Sequence, residues 1–179
     1  MPEGIELPEA HHDHGDNPYV VPASVTISIL AVLVAAVSLL GHRAHTEELL
    51  RETQAASRWA QYQAKSVRLH ETHGYSDMIS IVAPLNKEKG EALRGKYEKE
   101  VEHYESDKED VSKEAEALER DRDLAGRRGD RFDGGESLLE IGLVICSLTL
   151  LTKRRSYWIG GSLIGGGGVL LALTGFLLR

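Results

Sequence analysis

Three long apolar stretches constrain this chain more than any other feature. They cover residues 20–40, 138–152 and 157–178. At about 1.5 Å of helical rise per residue, the first and third reach about 30 Å, the thickness of the hydrocarbon core of a bilayer. The second is shorter, but Glu136, Ser137 and Lys153 can lie in the headgroup layer and extend it. We therefore expect three membrane spans, at residues 20–40, 137–152 and 157–178.

The average composition hides this segregation. A hydrophobic fraction of 41% and a mean hydropathy of −0.27 would suit an ordinary soluble protein. The segment 42–136 holds 17 of the 21 Lys and Arg, the others being residues 153, 154, 155 and 179. The Lys and Arg residues are interleaved with Glu and Asp, so no surface is predominantly basic, and the net charge is −7. We therefore expect no nucleic acid partner.

The N-terminal segment, residues 1–19, has no apolar period that could pack against anything. It contains three Pro and five acidic residues, and we predict a disordered tail. Because the first twenty residues contain no Lys or Arg, the first span reads as a retained anchor rather than a cleaved signal peptide. The single cysteine, Cys146, falls in the second span and excludes an intrachain disulfide.

The segment 42–136 is predicted to form a water-exposed helical hairpin. From Thr46 to about His73 the chain has no Pro or Gly, so the first span should continue as a helix. Apolar residues recur on one face of that helix at Leu49, Ala56, Ala60 and Val67. A connection is then expected, punctuated by Gly74, Pro84, Asn86 and Gly90.

The second helix of this hairpin, residues 91–125, carries a seven-residue repeat. Its main line is Tyr97, Tyr104, Val111, Leu118 and Ala125. Its companion line is Arg94, Val101, Lys108, Ala115 and Arg122. Because charged residues interrupt the apolar surface along this repeat, we expect an antiparallel, coiled-coil-like hairpin, with a solvated single helix as the alternative.

The glycines that follow this helix predict a bend before the second span; they are Gly126, Gly129, Gly134 and Gly135. The predicted fold class is an all-α membrane protein.

Two spans carry stripes of small residues at helical spacing. In the first span the stripe is Ser24, Ser28, Ala31, Ala35 and Ser38. In the third it is Gly161, Gly165, Gly168, Ala172 and Gly175. Spans associate in lipid where small residues let backbones approach closely, so both stripes are predicted packing faces, within one chain or between copies. The alternative is that small residues are simply common in spans.

One acidic residue, Glu140, stands nearly alone inside a span. The first span ends at the membrane face where the second begins, which brings Glu140 near His42, Arg43 and His45. We expect an ionised Glu140 paired with this cluster, because an unpartnered charge at mid-span costs on the order of 3 kcal/mol. The alternative is that Glu140 reaches headgroup water and touches none of them.

No catalytic pattern is present. The chain lacks a nucleophile elbow, a phosphate-binding glycine loop followed by Lys, and a cysteine with an evident base. His42 and His45 share a helix face and are the nearest candidates for metal ligands, but a closed zinc site needs four. We expect no enzyme activity, no cofactor and no metal site.

Two segments resemble a family of bacterial membrane proteins known only as domain of unknown function 4337. They are Gly41-His42-Arg43-Ala44-His45-Thr46-Glu47-Glu48 and Trp59-Ala60-Gln61-Tyr62-Gln63-Ala64-Lys65-Ser66. Arg131-Phe132-Asp133 and Thr152-Lys153-Arg154-Arg155 are similar too. The resemblance implies a multi-pass protein of the bacterial inner membrane and supplies no activity or catalytic residue.

Orientation and function are expectations of a coarser kind. The N-terminal tail carries no positive charge, while Arg43 and the arginines before the second span flank the hairpin, so we expect a cytoplasmic hairpin. The expected role is a structural or interaction protein that assembles with itself or another membrane protein. The alternative is a small transporter or channel component that uses Glu140 and the glycine-rich third span.

Overall fold

The computed structural model describes residues 18–81 and 87–178, and within them the chain is helical and has no strand. The helices are α1 (Val20–Ile81), α2 (Lys87–Thr152) and α3 (Arg155–Leu177). The expectation of an all-α chain is confirmed. The predicted disordered tail lies outside the described residues apart from Pro18 and Tyr19, as do Pro84 and Asn86 of the predicted connection.

The helices α1 and α2 pack side by side in antiparallel directions along almost their whole length. Tyr75 near the end of α1 lies beside Tyr97 near the start of α2, with ring centroids 6.0 Å apart. At the other end, Trp158 of α3 donates a hydrogen bond to Thr26 of α1, 3.0 Å long. The third helix packs mainly on α2 and touches α1 little. A short turn joins α2 to α3, where Lys153 has a left-handed backbone with φ 55°.

Each of the three helices contains a stretch long and apolar enough to cross a membrane. Two parts of the molecule are therefore distinguished below. The apolar bundle comprises residues 20–41 of α1, 137–152 of α2 and all of α3. The polar arm comprises residues 42–81 of α1 and 87–136 of α2.

The helices are longer than the sequence predicted. Gly74 and Gly90, expected in a connection, lie inside α1 and α2. The glycines expected to bend the chain before the second span lie within α2, which continues through residues 126–135 as one helix. A glycine costs about 1 kcal/mol relative to alanine in a helix, but here it allows close packing. A Cβ at Gly129 would lie 2.7 Å from the His45 ring, and one at Gly135 would lie 2.9 Å from the Gly168 carbonyl oxygen.

The seven-residue repeat predicted in α2 faces α1. Val111, Ala115 and Ala125 are buried, and the other members from Tyr97 onward are half-buried. The repeat continues beyond the predicted segment into the apolar bundle through buried Gly129, Phe132, Leu139 and Cys146. One line of spacing therefore serves both parts of the molecule.

The apolar period noted in α1 does not face α2. Leu49, Ala56, Ala60 and Val67 are all exposed. The side of α1 that meets α2 is instead buried at Gly41, Ala44, Ala55, Leu69 and Thr72. Half-buried residues with long side chains fill the heptad positions between them, namely Glu48, Arg51, Arg58, Tyr62 and Lys65. Four of these five residues are charged, so a search for apolar repeats does not reveal the seam.

Candidate functional site: the packing seams

The small-residue stripe of α3 is packed tightly against α2. All five members, Gly161 to Gly175, are buried. A Cβ at Gly161 would lie 2.6 Å from the Gly142 carbonyl oxygen, and one at Gly168 would lie 2.7 Å from the Gly135 carbonyl oxygen. Backbone therefore meets backbone along this seam, an arrangement that only residues without a side chain permit.

The small-residue stripe of the first span is not part of the contact between α2 and α3. Ser24, Ser28, Ala31 and Ala35 are exposed in the single chain, and Ser38 is half-buried. The buried line of the same helix is one position away. It consists of Ala23, Leu30, Val37 and Ala44 at seven-residue intervals. The first stripe is therefore not a packing face within this chain.

A compact core joins the three helices where the polar arm meets the apolar bundle. Phe132 is 5% exposed and packs edge-on against Phe176, with ring centroids 5.3 Å apart. Leu139 and Cys146 are fully buried below it. Arg128 of α2 donates a hydrogen bond to the Leu178 carbonyl, 2.9 Å long, and so ties the end of α3 to the junction.

At this junction, His45 lies between two carboxylates. Its Nε2 is 2.9 Å from Asp133 Oδ2 on α2, and its Nδ1 is 3.2 Å from Glu48 Oε2 on its own helix. Hydrogen bonds to Asp133 and then to Glu48 raise the pKa of His45 above its ordinary value. The ring occupies the space that Gly129 leaves open. The protonated imidazole can therefore bridge the two helices.

The predicted pairing of Glu140 with His42, Arg43 and His45 is not present. Glu140 is exposed and has no hydrogen bond or ion pair with any described residue. Its place opposite His45 is taken by Asp133, which is seven residues earlier and so about 10.5 Å farther along α2 from the turn between α2 and α3. His42 and Arg43 are exposed.

The metal candidates are not brought together as ligands. His42 is exposed, and both nitrogens of His45 face carboxylates. Within residues 18–81 and 87–178, no three His, Cys, Asp or Glu side chains converge as a metal site would require.

Polar contacts across the polar arm were not predicted from the sequence. Arg58 Nε lies 3.1 Å from Glu114 Oε2, and Trp59 donates a hydrogen bond of 2.8 Å to Glu119. Further pairs are Arg51 with Asp121, Lys65 with Asp107, and Lys108 over the ring of Tyr62. The hydrogen bond from Lys65 lowers the pKa of Asp107. Either helix alone gives no signal for these contacts, because they depend on the register between two helices.

No curated protein and no solved structure matches the chain. The family model described as Domain of unknown function (DUF4337) matches residues 21–178, and the chain belongs to that family.

Proposed function

We propose that the protein is a membrane-anchored helical hairpin with a structural or interaction role, which assembles with itself or joins a complex of membrane proteins. The observation that carries the proposal is the α1–α2 seam, which continues from the apolar bundle into the polar arm without a break in its seven-residue spacing. A seam of this kind joins the apolar bundle and the polar arm into one stiff unit. It suits a protein that presents a surface rather than one that encloses a substrate.

The outer surface of the apolar bundle supports insertion in a bilayer. Large apolar side chains there are well exposed, including Val32 at 70%, Leu163 at 72% and Leu170 at 68%. Monomeric soluble proteins rarely leave so continuous an apolar surface in water. The lipid bilayer would cover this surface, and a neighbouring protein would cover the part of it at which the bundle assembles.

The transport alternative draws on Glu140 and the third helix. An outward carboxylate in the apolar bundle is the observation in its favour, because charges inside membranes commonly mark ion paths. The glycine stripe of α3, however, is already filled by α2. The structural role therefore accounts for more of the chain, and we propose no catalytic role.

We further propose that the protein lies in the bacterial inner membrane with the polar arm in the cytoplasm. At the junction the arm carries Arg43, Arg127, Arg128 and Arg131. The opposite face of the bundle carries Lys153, Arg154 and Arg155. Positive residues close to the ends of spans favour the cytoplasmic side, and the larger number lies on the side of the arm.

Purification from native membrane in a mild detergent tests the role. We expect the protein to elute at the mass of a defined complex, with copies of itself or with another membrane protein in fixed stoichiometry. A monomer with no stoichiometric partner at any detergent concentration that preserves the fold would refute the structural role.

Impermeant thiol labelling of intact cells tests the orientation. In a Cys146→Ser background, Ser156→Cys at the turn should react, and Ser106→Cys in the polar arm should react only after the cells are opened. The reverse pattern would place the arm outside the cytoplasm. Equal labelling of both after lysis is the control for accessibility.

A further inference from the structure

A second seven-residue pattern runs along the face of α1 that points away from α2. It consists of two lines of seven-residue spacing, one from Val25 to Ile81 and the other from Ser28 to Asp77. We call them together the outward stripe. Every residue of the outward stripe is exposed in the three-helix unit. Leu49, Ala56, Ala60 and Val67 belong to it, so the apolar period that the sequence shows in this helix is real but is not used within the chain.

The outward stripe is free of fixed charge over most of its length. Between Val25 and Gly74 it contains no Asp, Glu, Lys or Arg. The same helix carries eight such residues between Glu47 and Glu71, and all of them lie off the stripe. A solvated helix face normally collects the charges of its helix. The outward stripe therefore has the composition of a contact face.

The three hydroxyl side chains on the stripe are satisfied by their own helix. The hydroxyls of Thr46 and Thr53 donate hydrogen bonds of 2.8 and 2.9 Å to the carbonyls of His42 and Leu49. Ser28 does the same with the Ser24 carbonyl at 3.0 Å. A neighbour packed on this face would therefore leave none of these three hydroxyls unpaired.

The outward stripe also keeps its phase as α1 passes from the apolar bundle into the polar arm. From Val25 to Ile81 it spans about 84 Å, and at a helix width of about 10 Å its footprint is about 840 Å². That area is close to the roughly 800 Å² that each partner contributes to a standard stable interface. Lipid could cover only the bundle half of this footprint, and a soluble partner only the arm half.

We propose that the outward stripe is the site where a second copy of this chain docks, with the two α1 helices parallel. The inference rests on the proposed function, because a shared membrane orients both copies in the same direction. A two-fold axis along the membrane normal then brings each residue of the stripe next to itself. Fixed charges would repel in such a pairing, and the stripe excludes them until Asp77. An open apolar groove of about 410 Å³, lined by Val25, Ser28, Ile29, Val32 and Leu33, receives side chains of the second copy.

Cysteine crosslinking of the full chain in reconstituted vesicles tests the register. In a Cys146→Ser background, Ala56→Cys and Ala60→Cys should each give a disulfide-linked dimer on mild oxidation, because a parallel pairing places identical residues within disulfide reach. Ser57→Cys, also exposed but off the stripe, is the matched control. We expect several-fold less dimer from it. Equal yields at Ala56 and Ser57 would overturn the proposal.

Charge insertion tests the same face without a crosslink. Ala60→Glu and Val67→Glu should convert the dimer to a monomer, whereas Ala64→Glu, exposed but off the stripe, should leave it dimeric. Helical content measured by circular dichroism should be unchanged in all three, since each side chain is exposed in the single chain. If a stripe variant unfolds, the crosslinking result alone decides whether the outward stripe is the docking site.

The outcomes separate this inference from the proposed function. A dimer that crosslinks only off the stripe, or a monomer bound to another membrane protein in fixed stoichiometry, overturns the outward stripe as a self-docking site and leaves the structural role intact. A monomer without any partner overturns both. A mass of two copies with crosslinks at Ala56 and Ala60 supports both.

Discussion

The apolar bundle and the polar arm use the same seven-residue spacing but different contacts. In the bundle, Gly161 and Gly168 bring backbone against backbone. In the arm, Arg58 and Glu114 reach across the seam with long charged side chains. In the bilayer proposed for the bundle, no hydrophobic drive pulls helices together, so close van der Waals contact must hold them. In water an exposed ion pair adds little, so the arm depends on its few buried residues and on being anchored in the bundle.

The largest expected effect tests the backbone contact in the bundle. In Gly168→Ala the new Cβ would lie 2.7 Å from the Gly135 carbonyl oxygen and 2.9 Å from the Leu139 amide nitrogen. Backbone atoms cannot rotate away, so the helices must separate, and we expect a loss of about 1–3 kcal/mol in the free energy of unfolding. Thermal unfolding in detergent measures it.

Two neighbouring glycines serve as controls for that prediction. Gly166→Ala, with nothing within 4 Å of the new Cβ, should be neutral or slightly stabilising. Gly165→Ala should fall between the two, because it meets a Leu30 methyl group that can move. Equal unfolding temperatures for the Gly166 and Gly168 variants would mean that backbone contact does not hold the bundle.

A smaller effect is expected in the polar arm. The side chains of Arg58 and Glu114 are 42% and 56% exposed, so Arg58→Gln should cost less than about 1 kcal/mol, and less again in high salt. A double-mutant cycle with Glu114→Gln isolates the coupling between the two groups. Arg68→Gln, an exposed change on the same helix, is the control. A loss as large as that of Gly168→Ala would abolish the contrast between arm and bundle.

The smallest effect is expected at the junction, and it depends on pH. Because the folded protein raises the pKa of His45, the protonated ring stabilises the fold. That contribution is fully present below the unfolded pKa of about 6.5 and is lost as pH rises through the higher folded pKa. With the His45 side chain 41% exposed, it should amount to less than about 1 kcal/mol.

The measurement is thermal unfolding of the protein and two variants across this pH range. His45→Gln should remove this part of the pH dependence, whereas His42→Gln, an exposed neighbour without a carboxylate partner among the described residues, should keep it. A pH profile unchanged in His45→Gln would show that the bridge contributes nothing to stability.

The sequence predicted those parts of the fold in which one residue type repeats at a fixed interval. The line from Tyr97 to Ala125 is of this kind. A seven-residue period also includes Leu49 and Val67, but these residues lie on the outward stripe and do not contact α2. The sequence could not locate the α1 side of the seam, since Arg58 and Lys65 occupy seam positions with polar side chains.

The candidate site was less predictable than the fold. The sequence analysis expected Glu140 to pair with His45, whereas in the structure the partner on α2 is Asp133. A choice between two carboxylates seven residues apart depends on the axial register of α1 against α2. That register is set by the close approaches at Gly41 and Gly129, which no pattern within a single helix reveals.

The uninterrupted course of α1 makes the polar arm a lever. From Gly41 to Ile81 the helix extends about 60 Å beyond the bundle, so a tilt of about 5° at the bundle swings the tip by about 5 Å. Spans change their tilt when bilayer thickness changes. In the bilayer proposed above, the far end of the arm would therefore move by an amount that reflects the bilayer thickness, and a partner held at the tip would change position with it.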